Sequence, residues 1–368
     1  MTTADTETSP DVHDLTLRTG FEIELLAPPG SDRKVLADEL AARCHGSVRT
    51  GTHTDSEPST VPGVGIFRHL SPAFDVVDAH DRPVARLVDD VTIETELVGS
   101  PRSSRGWYRL LCDDARLLRL VDRHTDPDAP LDRVLEPVAE LFGTRVELRG
   151  VAARVNDAAG TTVAVAMPLP QGRERPCEIV TPPLSVGHGA ALERLLGPAR
   201  DLGFTVPVEA AVHLHVDGAP FRDPGAFTNL VRLFSGWREL LWIALGTNPA
   251  CRRLAPLTDE LVELVGRPWQ DDGDRTAWSR LQEAARSAGV TKFADVNLSQ
   301  LVSERPARDT VEVRILPGSI HAAEILDRAH LVDALLRRCL APRPVPLAPP
   351  AMTADPHAAL WALAEEAR

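Results

Sequence analysis

Four segments alternate apolar with polar side chains at a period of two, and this alternation constrains the chain more than any other feature. In an extended strand, successive side chains point to opposite faces, so residues two apart share a face. In Phe21-Glu22-Ile23-Glu24-Leu25 the apolar residues point one way, and Glu22 and Glu24 point the other. Between Val208 and Val216 the apolar set is Val208, Ala210, Val212, Leu214 and Val216; Glu209, Ala211, His213, His215 and Asp217 lie opposite. In Thr310–Leu316, Val311, Val313 and Ile315 alternate against Glu312 and Arg314, and Cys177–Thr181 sets Glu178 against Cys177 and Ile179.

Any half-solvated antiparallel sheet shows such alternation. Solvated strand faces, however, favour Thr, Ser, Lys and Arg, whereas these faces hold Glu, His and one Arg. If the strands are neighbours, Glu22, Glu24, Glu178 and Glu312 converge, and like charges at short range raise one another's pKa values. On that ground Glu312→Gln is expected to leave stability unchanged or improved. Divalent cations relieve the crowding, and oxygen ligands with an occasional imidazole suit Mg²⁺ or Mn²⁺ better than zinc.

Elsewhere the pattern predicts helices over Arg33–Cys44, Gly106–Val121, Leu131–Phe142, Ala190–Leu202, Pro224–Leu245, Asp259–Val265, Thr276–Ala288 and Ala322–Leu340. Further strands are expected at Ala73–Val77, Ala85–Asp89, Val91–Leu97, Arg145–Arg149, Ala152–Asn156 and Thr162–Met167, with a loop-rich stretch at His45–Gly65. Several strand pairs are joined by hairpin-length turns, so the expected class is α+β with a mostly antiparallel sheet. Neither a G-x-G-x-x-G nor a Walker-type loop occurs, which removes support for a Rossmann or P-loop nucleotide site. The expected organisation is a disordered tail over 1–16, a single catalytic domain over 17–341, and a Pro-rich linker with a short helix over 342–368.

Net charge is −13, the wrong sign for a nucleic-acid partner, whose phosphates need a basic footprint. A few local cations would still suffice for ATP. The five cysteines are scattered without a C-x-x-C pair, against a disulfide framework or structural zinc. Phe227–Leu245, the most apolar run, contains Arg232, Arg238 and Glu239 and reads as a buried helix, with Trp237 and Trp242 in the core. No basic-then-apolar segment opens the chain, so the expected location is cytoplasmic, without a membrane partner.

The order E-x-E strand, E-[IL]-V-[TS]-P-P, H-x-H-V and [VI]-E-x-R, at Phe21–Leu25, Cys177–Pro183, Val212–Asp217 and Thr310–Leu316, resembles the amidoligase family of the glutamine synthetase and glutamate–cysteine ligase superfamily. The resemblance implies a curved antiparallel sheet with helices on its outer face and an ATP- and Mg²⁺-dependent ligase joining a carboxylate to an amine through an acyl phosphate. The substrates would be a small-molecule or peptide carboxylate and an amine donor, in specialised metabolism, and a homo-oligomer is compatible with the family. It further implies that Glu22, His213 and Glu312 hold one magnesium and Glu24 and Glu178 a second. His215 would contact nucleotide phosphate, and Arg314 would stabilise the transferred phosphoryl group. Lys292 and Arg252 (or Arg253) are weaker phosphate candidates, and Asp90 is either a substrate-side residue or a turn cap. The stretch at about 45–175 exceeds what compact members carry and is expected to be an insertion that shapes the acceptor pocket. Two other readings are a superfamily kinase phosphorylating a guanidino or carboxylate group without condensation, and a His-x-His metal-dependent hydrolase or binding protein.

Overall fold

Strand β1 (Thr19–Leu26) is buried along its whole length. Phe21, Ile23 and Leu25 are fully inaccessible, while Glu22 and Glu24 on the alternate face keep only 8% and 4% exposure. Its carboxylates are therefore interior groups, and interior charges need partners.

The computed structural model describes residues 14–58, 66–97, 108–112, 114–251, 253–273, 275–349 and 355–366. After β1 come α1 (Arg33–Arg43), β2 (Ser47–Pro58), β3 (Ile66–Val77), β4 (Pro83–Val88), β5 (Tyr108–Cys112), α2 (Ala115–His124) and α3 (Glu136–Leu141). Four strands follow, β6 (Glu147–Arg149), β7 (Ala152–Asn156), β8 (Thr162–Pro168) and β9 (Pro176–Val180), then α4 (His188–Asp201) and β10 (Ala211–Asp217). The remainder is α5 (Pro224–Gly236), α6 (Arg238–Leu245), α7 (Asp259–Val265), α8 (Ala277–Ser287), β11 (Val296–Asn297), α9 (Ser299–Val302), β12 (Thr310–Pro317), α10 (Ala322–Leu340) and α11 (Pro356–Glu365). The class is α+β with antiparallel strand pairing. Helix starts follow local capping chemistry: Asp32, Asp114, Asp223, Thr258, Thr276 and Asp355 each accept a backbone N–H of the first turn, satisfying donors the helix leaves open. No helix among the described residues is long and apolar enough to cross a membrane.

The chain divides into two compact units. One comprises Met1–Ile23, Thr181–Leu196 and Glu209–Arg368. In it β10 lies antiparallel to both β1 and β12, and β11 pairs with β12. The register sets Glu22 opposite His213, His215 opposite Glu312, and Asn297 opposite Glu312.

The other unit comprises Glu24–Val180 and Gly197–Val208. Its strands run in the order β9-β4-β3-β5-β8-β7-β6, with β2 beside β3. Helices α2 and α3 close over Leu110, Val155, Ala164 and Ala166 with Leu117, Val121, Leu135 and Val138. Fully buried Arg33 lies 3.7 Å from Asp89, which also takes Arg173 Nη2 at 2.7 Å. Arg33 donates as well to the carbonyls of Pro72, Arg173 and Pro176, and burial lowers its pKa to about 10.

Several sequence expectations are corrected here; the alternating strand expected from Val208 begins only at Ala211, and Val208, in the turn before it, is 52% exposed. The expected loop over His45–Gly65 contains β2, whose pairing with β3 runs from Ser47–Val77 to Pro58–Ile66. Val91–Leu97 forms a turn followed by a 3-10 turn at Thr95–Leu97. Within the helix expected at Gly106–Val121, Tyr108–Cys112 is β5, while residues 106 and 107 lie outside the described residues. The helix expected at Pro224–Leu245 breaks at Trp237, where Gly236 follows Ser235, whose hydroxyl donates to Val231 O at 2.6 Å; such back-bonding and a glycine both weaken a helix. Trp237 is core, whereas Trp242 is half-buried. Residues 1–13 of the expected tail lie outside the described residues.

Candidate functional site

The cluster is built from residues of the first unit carried on three antiparallel strands. β1 supplies Glu22, β10 supplies His213 and His215, and β12 supplies Glu312 and Arg314. His213 Nδ1 stands 3.3 Å from Glu22 Oε2 and 3.6 Å from Glu312 Oε1. His215 Nε2 lies 3.1 Å from Glu22 Oε2, and its Nδ1 lies 3.3 Å from Thr310 Oγ1. Arg314 Nη1 donates to Glu312 Oε1, and Asn297 Nδ2 donates to Glu312 Oε2 at 2.7 Å.

A bulge in β12 shapes this corner. Val212 faces Leu316 while Leu214 faces Val313, so β12 carries an extra residue opposite His213. The Arg314 amide turns to the Asp295 carbonyl at 3.0 Å. Bulges bend a strand and re-aim its side chains, and here Glu312 and Arg314 meet at one carboxylate oxygen. Asp295 is 1% exposed, and its carboxylate takes Arg238 Nε at 2.6 Å and Trp242 Nε1 at 2.8 Å. Burial raises its pKa despite those donors.

The electrostatics run opposite to the sequence expectation. Burial alone would raise the Glu22 pKa, but His215 and His213 outweigh it and hold Glu22 well below the ordinary carboxylate range. Burial likewise opposes ionisation of Glu312, and Arg314 with the two histidines reverses the sign. The carboxylates are thus not driven up by mutual repulsion, because His215 at Glu22 and Arg314 at Glu312 lead the opposing interactions. Burial and Arg314 lower the pKa of His213. For His215, burial works downward and Glu22 overcomes it, giving a net rise.

One donor atom each from Glu22, His213 and Glu312 lies within 4.8 Å of the others, and all three residues are buried. Ligands about 2.1 Å from a hard cation stand roughly 3 Å apart when adjacent and roughly 4 Å apart when opposite. Two ionised carboxylates and an imidazole biased to its neutral, ligating form therefore fit a divalent cation. The oxygen-rich set suits magnesium or manganese.

Glu24 is buried and Glu178 half-buried on β9, opposite Val88 of β4; both belong to the second unit, and the three-residue group contains neither. Lys292 Nζ lies 5.3 Å from the centroid of the Phe293 ring, and Arg253 reaches the same ring at 5.4 Å. Arg252 lies outside the described residues. Asp90 caps a turn, accepting Thr92 N at 2.9 Å and Thr92 Oγ1 at 2.8 Å. Glu209 and Asp217, placed on the histidine face by the alternation, differ: Glu209 is 4% exposed, whereas Asp217 is exposed.

Asn297, Arg308 and Thr310 are among the residues at the cluster that were not singled out as ligand partners by the sequence. Arg308 Nη1 donates to Glu22 Oε1 at 2.8 Å from the loop before β12, where no periodicity distinguishes it from its neighbours. Thr310 faces His215 from the first position of β12. The alternation of β12 could have found Thr310, since it shares a face with Glu312.

Comparison with curated proteins and with solved structures returns no match. Residues 15–336 match the family described as "Putative amidoligase enzyme", a span that takes in β1, β10, β12 and every residue of the cluster. The chain belongs to this amidoligase family, whose members are amide-bond-forming ligases.

Proposed function

We propose that the protein is an ATP- and Mg²⁺-dependent carboxylate–amine ligase with a core of the glutamine synthetase and glutamate–cysteine ligase type, working through an acyl phosphate. The observation that carries this reading is the buried meeting of Glu22, His213 and Glu312, with Arg314 on Glu312. Glu22, His213 and Glu312 would hold a divalent cation, which when bound would supply charge neutralisation at the nucleotide phosphates. Arg314 would offer a fixed fork of donors to the transferring phosphoryl group, already oriented by Glu312 and by the Asp295 carbonyl. His215 would present an imidazole beside the same carboxylate for phosphate contact. The amine would then attack the acyl carbon of the acyl phosphate, forming the amide bond as the bond to phosphate breaks and phosphate leaves. Glu24 and Glu178, both in the second unit, are assigned by resemblance to a second cation, Lys292 and Arg252 to phosphate, and residues 45–175 to acceptor recognition.

Incubation of the purified protein with ATP, Mg²⁺ and pools of carboxylates and amines should release phosphate together with a condensed product. Phosphorylated carboxylate or guanidine without condensation would instead select a kinase. Folded protein inert across broad pools would defeat the ligase reading.

A further inference from the structure

Glu22 is held by two kinds of partner. Oε2 faces the imidazoles of His213 and His215, both set in β10 and shielded from solvent. Oε1 takes Arg308, whose side chain is 57% exposed while that of Glu22 is 11% exposed. The arginine therefore reaches in from the surface and rests its charged tip on an interior carboxylate. Its backbone is fixed separately. Ala307 N and Arg308 N donate to Gln300 Oε1 at 2.8 and 3.3 Å, and Gly218 N donates to the Asp309 carbonyl at 2.9 Å. Arg222 secures the Asp309 carboxylate at 2.6 Å. A tip that leaves Glu22 thus needs only rotamer changes along a long, solvated stem.

We propose that Arg308 is an exchangeable counter-ion: it neutralises Glu22 until a divalent cation takes that carboxylate, and the displaced guanidinium then binds phosphate of the incoming nucleotide. The inference rests on the reading of Glu22, His213 and Glu312 as cation ligands. Its ground is charge. A guanidinium and a divalent cation on one carboxylate would stand within about 5 Å, where like charges at a partly buried site repel strongly. The guanidinium gives Glu22 one donor, Nη1 to Oε1, and its planar fork can match phosphate oxygens as well. Arg314 is a different case, since its side chain is only 11% exposed and does not reach in from the surface.

The exchange predicts opposite changes in two affinities, a signature that a merely structural role would not produce. With Mn²⁺ alone, followed by electron paramagnetic resonance of the free ion, Arg308→Ala should bind the metal ~3–10-fold tighter than wild type, because a competing cation is gone. With the β,γ-imido analogue of ATP at saturating Mn²⁺, calorimetry should show nucleotide bound ~10-fold more weakly, the scale of one charge-assisted phosphate contact. Arg308→Lys should recover part of both changes, and Arg305→Ala on the same loop should show neither. Mn²⁺ binding that is equal or weaker in Arg308→Ala, unchanged nucleotide affinity, or a matching effect of Arg305→Ala overturns the exchange and leaves the cation site standing. Absence of Mn²⁺ binding by folded wild-type protein overturns the cation site and the exchange together.

Discussion

Glu312 has a cationic or amide donor on each oxygen, Arg314 on Oε1 and Asn297 on Oε2. A glutamine there can accept one of these donors only by turning its own amide NH₂ against the other. Glu312→Gln should therefore destabilise the fold by about 3–5 kcal/mol, the scale of stranding one partner of a buried pair, besides abolishing turnover. This reverses the stability expected from the sequence, which counted the carboxylates and not the cations beside them. Urea unfolding without added cation decides the sign, and a variant as stable as wild type would restore the crowding argument. The alternation in β1, β10 and β12 made Glu22, His213, His215, Glu312 and Arg314 legible as one polar set. It did not disclose Arg308, because a loop side chain that acts by reaching inward leaves no periodic trace.

Among the elements, β10 and β12 were legible because both carry strict alternation, and α10 because its apolar spacing is long and unbroken. β2 was not, since Ser47–Pro58 has one apolar residue before its closing proline and gains its strand form from pairing with β3. Tertiary pairing overrides weak propensity there. β5 was misread because Tyr108–Cys112 is a short run with only Arg109 charged, and such a run fits either period. The start of α4 shows a third kind of invisible determinant. Gly187 N and His188 N donate to the Asp14 carboxylate at 2.8 and 3.0 Å, and His188 Nδ1 lies 3.0 Å from it. The cap of α4 thus comes from the segment before β1, far away in sequence. Burial would raise the Asp14 pKa, yet these donors bring it down to about 2. A depressed acid stabilises above its unfolded value, ordinarily 3.8, and loses that contribution as pH falls towards 2. Asp14→Ala should cost roughly 1–2 kcal/mol at neutral pH and flatten the stability profile between about pH 4 and 2. Thermal unfolding across that range tests it, and a wild-type profile in the variant would show that the cap carries no weight.

At the scale of the whole molecule, the cluster draws on residues 22, 213 and 312, which only the native fold gathers. An unfolded chain has no comparable site, so a cation–nucleotide pair that binds there acts on the folded state alone, and its full binding free energy appears as stability. At ligand concentrations about 100-fold above Kd the gain is about 2.7 kcal/mol. Unfolding entropy near 2.1 cal/mol/K per residue, over 368 residues, turns that gain into a rise in Tm of about 3 °C. Mn²⁺ with the β,γ-imido analogue of ATP should raise the wild-type Tm by this order, and chelation should return it. His213→Ala deletes one of the three donors without altering either carboxylate, and should bring the ligand-induced rise close to zero whatever its own Tm. Because each protein serves as its own reference, the comparison separates loss of the site from general destabilisation. An equal rise in wild type and His213→Ala would place the bound ligand away from β10.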